Sequence, residues 1–193
     1  MAITTLNNRS INRSDTASAD QVWTATSATA SDFQAVAGST LVSEVATTSG
    51  SSVDLSTSIP AGTKMITVMF DGISTNSTGY IGIQIGDSGG FETSGYDGTV
   101  GGTLNTAANG LTYSSAFYVV DPVSAVSTYS GMAILRLQDS SNNTWCAMSV
   151  LGAENAASMD AAGGKKSLSA VLTQVRIISG DTLDAGAVSI QYA

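Results

Sequence analysis

Ile59-Pro60-Ala61-Gly62-Thr63-Lys64-Met65-Ile66-Thr67-Val68-Met69-Phe70-Asp71-Gly72-Ile73-Ser74-Thr75-Asn76-Ser77-Thr78-Gly79-Tyr80-Ile81-Gly82-Ile83-Gln84-Ile85-Gly86 holds two apolar runs separated by a polar loop. Pro60-Ala61-Gly62 is turn chemistry, because proline pre-sets φ and glycine permits φ > 0. Ile66, Val68 and Phe70 fall on one face of a strand. Ile81, Ile83 and Ile85 fall on one face of the next. A period of two marks half-buried β-strands. The expectation is a hairpin whose apolar faces seed a β-sandwich core.

Outward from this stretch the same pattern recurs. Ser51–Ser56 places Val53 and Leu55 on one face. Tyr113–Val120 reads as a strand stopped by Asp121-Pro122. Gly131–Asp139 alternates Ala133, Leu135 and Leu137 against Arg136 and Gln138. Asp139-Ser140-Ser141-Asn142-Asn143 is a hairpin turn into Thr144–Leu151. There Trp145 is opposite in face to Cys146, Met148 and Val150. Ser167–Ile178 and Val188–Tyr192 complete eight strands. Gly86–Gly110 has no period and reads as a long glycine-rich loop, as does Glu154–Lys166. The expected fold is all-β, an antiparallel two-sheet sandwich with a jelly-roll topology. A Greek key of immunoglobulin type is the alternative.

The chain divides into residues 1–37, a linker of residues 38–52 and a head of residues 53–193. In the first segment apolar residues are sparse, too few to close a core. Ser31 or Asp32 could cap a single helical turn there.

Charged residues make up only 11% of the 193, against about a quarter in ordinary domains. The surface must be uncharged polar, or covered by neighbouring copies. The net charge of −8 and the lack of a basic stripe argue against nucleic-acid binding. Lys165-Lys166 reads as a solvated loop tip. There is no histidine, which removes Ser-His-Asp and Cys-His catalysis and any His-ligated metal. Cys146 is the single cysteine, and its apolar neighbours read as a buried position. No apolar run follows a basic start and no apolar stretch reaches membrane length, so neither a signal peptide nor a membrane helix is expected. The expectation is a soluble protein made in the cytoplasm, with no membrane insertion and no cofactor.

Two candidate sites lie in Gly86–Gly110. Asp87, Glu92 and Asp97 follow one another at five-residue spacing and could offer oxygens to Ca²⁺, although the spacing matches no EF-hand. Solvated loop acids are the simpler reading. Tyr80, Phe91, Tyr96, Tyr113 and Tyr118 could stack on sugar rings, or pack in the core. Asp71, Asp181 and Asp184 read as turn residues.

Residues 1–37, from Ile3-Thr4-Thr5-Leu6-Asn7-Asn8-Arg9-Ser10-Ile11 to Ser31-Asp32-Phe33-Gln34, resemble attachment and linker segments of bacteriophage tail-fibre proteins. Residues 59–193 resemble the C-terminal domain of such proteins in marine and environmental phages. The pieces that carry this are Ile66-Thr67-Val68-Met69-Phe70-Asp71-Gly72, Ile83-Gln84-Ile85-Gly86-Asp87-Ser88-Gly89-Gly90-Phe91, Leu172-Thr173-Gln174-Val175-Arg176-Ile177 and Leu183-Asp184-Ala185-Gly186-Ala187-Val188. The resemblance implies a non-enzymatic, homotrimeric virion structural protein assembled in the host cytoplasm. Residues 1–37 would then be the docking arm. Ile3, Leu6, Ile11, Trp23 and Phe33 would be buried on a virion partner or sister subunit, with Arg9 and Arg13 facing its carboxylates. Phe91 and Tyr96 would stand on an exposed receptor loop touching host glycan. A tail fibre usually carries a long shaft, and only residues 38–52 separate arm from head. That favours a short fibre, a tip, or a capsid decoration or head-fibre protein on the major capsid protein. The alternative of another class is a free carbohydrate-binding module.

Overall fold

The computed structural model of the chain describes residues 21–25, 31–35, 38–104, 107–121 and 124–193. Among them there is no helix. Two compact units are present, Met1–Gly38 and Ser39–Ala193.

In the first unit β1 (Gln21–Ala25) pairs antiparallel with β2 (Ser31–Ala35), setting Trp23 opposite Phe33. The helical turn expected at Ser31 or Asp32 is therefore a strand. One helical turn fixes several residues for a single hydrogen bond, whereas pairing with β1 supplies a ladder.

Among its described residues, every regular element of the second unit is a strand. In chain order they are β3 (Thr40–Leu41), β4 (Val45–Ala46), β5 (Ser52–Ser56), β6 (Met65–Thr75), β7 (Ile81–Asp87), β8 (Gly90–Phe91) and β9 (Asp97–Leu104). Then follow β10 (Ala107–Tyr113), β11 (Phe117–Val120), β12 (Tyr129–Asp139), β13 (Thr144–Ala153), β14 (Ser158–Ser167), β15 (Gln174–Ser179) and β16 (Leu183–Tyr192). The larger sheet has nine strands in the order β10-β9-β14-β13-β12-β6-β16-β3, with β4 also on β16. The smaller has five, β11-β7-β15-β5, with β8 on β7. Both are antiparallel, and they pack as a sandwich. The core lies between Ile66, Val68, Phe70, Leu135, Trp145 and Ile190 of one sheet and Ile81, Ile83, Ile85, Phe117, Val175 and Ile177 of the other, all 4% exposed or less.

Five expectations are corrected. The runs at Ile66 and Ile81 do not form a hairpin, since β6 lies in the larger sheet and β7 in the smaller. Each has an apolar face that must be covered, and facing each other across the core covers both at once. The chain crosses between sheets through residues 76–80, where the Asp181 carboxylate accepts the Gly79 N–H at 2.6 Å. Gly86–Gly110 is not a loop but contains β8, β9 and most of β10. Glu154–Lys166 is not a loop but contains nearly all of β14. Strands expected as single runs are also broken, with bends at residues 114–116 and a connection at residues 168–173. Cys146 is not in the core. Trp145 takes the inner face, 2% exposed, and puts Cys146 on the outer face with Met148 and Val150. One aromatic ring buries more surface than one thiol, so it sets the phase of the strand.

Candidate functional site

The acids and aromatics singled out in Gly86–Gly110 lie where β7, β8, β14 and β15 come together. Asp87 closes β7 and is 2% exposed. One carboxylate oxygen accepts the Ser169 hydroxyl at 2.7 Å and the Ala170 N–H at 2.8 Å. The other accepts the Gly89 N–H at 2.8 Å, closing the β7–β8 turn. Its carbonyl accepts the Gln174 side-chain amide at 2.7 Å. The Ser169 hydroxyl, followed by the Gly89 amide, holds the Asp87 carboxyl below the usual carboxylate range.

Glu92 meets a different partner. Its carboxylate lies 2.9 Å from the Lys166 ammonium, and Lys166 is 7% exposed. The same ammonium donates to the Ser94 carbonyl at 2.8 Å and sits 5.5 Å from the Tyr96 ring centre. Asp97 is exposed and lies 3.7 Å from Lys165. The three acids thus serve three separate contacts. Among the described residues no group of three His, Cys, Asp or Glu side chains is placed to hold a metal ion. The lysine pair is not a loop tip: both belong to β14, Lys165 facing out and Lys166 buried.

The aromatic pair is also committed. Tyr96 is 3% exposed. Its hydroxyl accepts the Ile85 N–H at 2.9 Å and donates to the Glu92 carbonyl at 3.1 Å. Its ring meets Phe117 edge-on at 4.9 Å. Burial pushes its hydroxyl well above the ordinary tyrosine range. Phe91 is half-buried under Arg176, whose guanidinium lies 4.3 Å from the ring centre. Arg176 in turn donates twice to the Gln84 side-chain oxygen Oε1, at 2.8 and 2.6 Å. These rings fasten β8 and the following turn to the smaller sheet, so the expected receptor loop is a packed junction. Tyr80 and Tyr118 stack at 4.1 Å, and Tyr118 lies 5.3 Å from Tyr113. Asp181 does act at the turn before β16, but Asp71 lies within β6 and Asp184 within β16, where its carboxylate accepts the Ser74 hydroxyl of β6 and so joins two strands. Ile3, Leu6, Arg9, Ile11 and Arg13 lie outside the described residues, and Trp23 and Phe33 are placed only by backbone register.

Sequence reasoning missed Gln84, Lys166, Ser169 and Arg176. Gln84 and Arg176 carry a signal, each being the polar alternate in an apolar strand, and they are direct register partners. Lys166 and Ser169 carry none, because their partners are more than 70 residues away in sequence.

Elsewhere, Leu137, Trp145, Val171 and Leu172 floor a cleft of about 190 Å³ rimmed by Thr63, Lys64, Ser140 and Asn143. The outer faces of the two sheets differ in character. On the outer side of the smaller sheet Gln84 is buried against Arg176, with Asp54 in register beside it; the outer face of the larger carries methionine, isoleucine and valine together with Arg136 and Lys165. No helix among the described residues is long and apolar enough to cross a membrane. No protein-family model matches the chain, and no curated protein or solved structure matches it.

Proposed function

We propose that the chain is a non-enzymatic bacteriophage virion structural protein. Residues 1–37 dock on a virion partner, and a trimeric β-sandwich head is displayed to the medium. The observation that carries this reading is the use made of the charged and aromatic groups at the candidate site. Asp87, Glu92, Lys166, Arg176 and Tyr96 all join strands to one another, as a load-resisting scaffold requires. The resemblance of residues 1–37 and 59–193 to tail-fibre segments points the same way. Host-glycan contact falls to the polar rim of the Trp145 cleft, whose apolar floor and few polar groups suit a sugar ring.

Within this reading a capsid decoration or head-fibre protein is favoured over a long tail fibre by one observation. Residues 40–41 and 45–46 pair with β16, so the segment expected as a linker belongs to the sandwich edge and adds no shaft. The test is incorporation. Particles assembled with the full chain carry it at fixed copy number, and a chain lacking residues 1–37 stays folded and absent from particles. Normal incorporation of the shortened chain refutes the docking role of residues 1–37. Absence of the full chain from purified particles refutes the proposal.

A further inference from the structure

The larger sheet turns an unusual face outward. Antiparallel register aligns Met69, Met132, Val150 and Ala161 in one row across β6, β12, β13 and β14. Thr67, Ile134, Met148 and Gly163 form the next row, and Met65, Arg136, Cys146 and Lys165 the third. Met159 extends the patch beyond Val150. Five of the six methionines in the chain therefore share one face of one sheet. Met132, Met148, Val150 and Met159 are 51%, 60%, 45% and 52% exposed.

We propose that this face is where copies of this chain meet, the sheets turned towards a common axis. The inference rests on the trimeric part of the proposed function and locates its interface. Strands lie about 4.8 Å apart and rise about 3.4 Å per residue, so the patch spans about 14 Å each way between outer Cα atoms. With side-chain overhang this is on the order of 400 Å², the scale at which an apolar patch marks an interaction site. A stable partner buries about 800 Å² per side, with an apolar centre and a polar rim. Ser189 and Gln191 on β16 and Thr99 on β9 supply that rim.

Charge selects the occupant. In these rows the charged side chains are Arg136 and Lys165, and Lys165 is already next to Asp97. An acidic or basic partner finds little to pair with, and an anionic lipid surface finds no basic cluster. A second copy brings an apolar patch of the same size whose two charged groups, Arg136 and Lys165, lie in its end row. It also keeps most of the acids of a −8 chain away from the contact, where like charges would oppose association. Methionine suits such a joint, since its flexible thioether fills irregular gaps between two flat faces.

The test uses the full chain at micromolar concentration. Light scattering is expected to give three times the 19.5 kDa chain mass. Met132→Glu with Met148→Glu is expected to give the monomer mass with unchanged circular dichroism and melting temperature. The milder pair Met132→Thr with Met148→Thr should dissociate at about tenfold higher concentration than the parent. Val126→Glu, 82% exposed and off this face, should remain trimeric. Cys146 lies in the patch, so its thiol should react with a disulfide reagent at least tenfold faster in the glutamate pair than in the parent. A monomeric parent, a glutamate pair that keeps the parental mass, or equal thiol rates in the two overturns the inference. A trimeric parent that incorporates into particles, with the glutamate pair also trimeric, overturns this interface and leaves the proposed function standing.

Discussion

Asp87 and Asp160 are both strand acids with almost no exposed surface, and their surroundings push them in opposite directions. Asp87 receives three donors, which hold it ionised. Asp160 on β14 is raised to about 6 by burial, with the Asp121 carboxylate adding to the effect and the Asp121 N–H opposing it. Asp121 is itself raised by burial. Asp87→Ala leaves the Ser169 hydroxyl and two amides without their acceptor and should cost about 2–3 kcal/mol in urea unfolding. A cost under about 0.5 kcal/mol would show the carboxylate to be incidental to the turn. For Asp160 the folded value lies above the unfolded one. Between about pH 4 and pH 6 the folded state binds more protons, so stability from this group falls as pH rises. Asp160→Asn should therefore be more stable than the parent at pH 7, by on the order of 2 kcal/mol. The gap should close as pH falls to about 4. The contribution of Asp87 is common to both proteins and cancels in the difference. A gap independent of pH would refute the assignment. Neither role is legible in the sequence. Asp87 shows its five-residue spacing to Glu92 and Asp97 and its nearness to Gly89, whereas the Ser169 and Ala170 donors lie more than 80 residues away.

At the scale of elements, the strands that were legible are those whose side chains make the core. β6, β7, β12, β13 and β16 alternate because one face of each is covered by the opposite sheet. β9 and β14 were hidden for a physical reason. Their backbones, rather than their side chains, approach a neighbour. Tyr113 lies against Gly98 and Gly164, and burial raises its hydroxyl to about 12. A Cβ at Gly98 would meet the Tyr113 hydroxyl and come 2.5 Å from the Gly163 carbonyl. Small residues are required there, so the apolar period disappears although the ladder is complete. Gly98→Ala should accordingly cost about 2 kcal/mol or more. Gly152 has no atom within 4 Å of its would-be Cβ, and Gly152→Ala should be neutral or slightly stabilising. Paired denaturant midpoints check both. Equal effects at the two positions would mean that the glycines of β9 make no room for the tyrosine.

On the scale of the whole molecule, the boundary of the sandwich is set by what covers the edge of β16. The sequence places it near residue 53, since Leu41, Val42 and Val45 show no period. Strands of two residues are too short to show one. Yet Thr47 is fully buried, its hydroxyl donating to the Ala185 carbonyl at 2.8 Å and its N–H to that of Gly186 at 2.9 Å. The Val42 N–H donates to the Ile190 carbonyl at 2.8 Å, and the Gly50 carbonyl accepts the Leu183 N–H at 2.8 Å. Residues 39–52 thus act as a clasp on the last strand. A chain of residues 39–193 should melt close to the full chain, because its compact unit is intact. A chain of residues 53–193 loses several backbone bonds, at about 1 kcal/mol each, together with the packing of Val42 and Val45. Its melting temperature should fall by about 10 °C, at about 2–4 °C per kcal/mol for a domain of this size. It should also associate through the uncovered β16 edge, which would present unpaired N–H and C=O groups. Calorimetry and light scattering on the two shortened chains decide the matter. Equal melting temperatures with no new association would place the boundary at residue 53 and reduce the clasp to a passive linker.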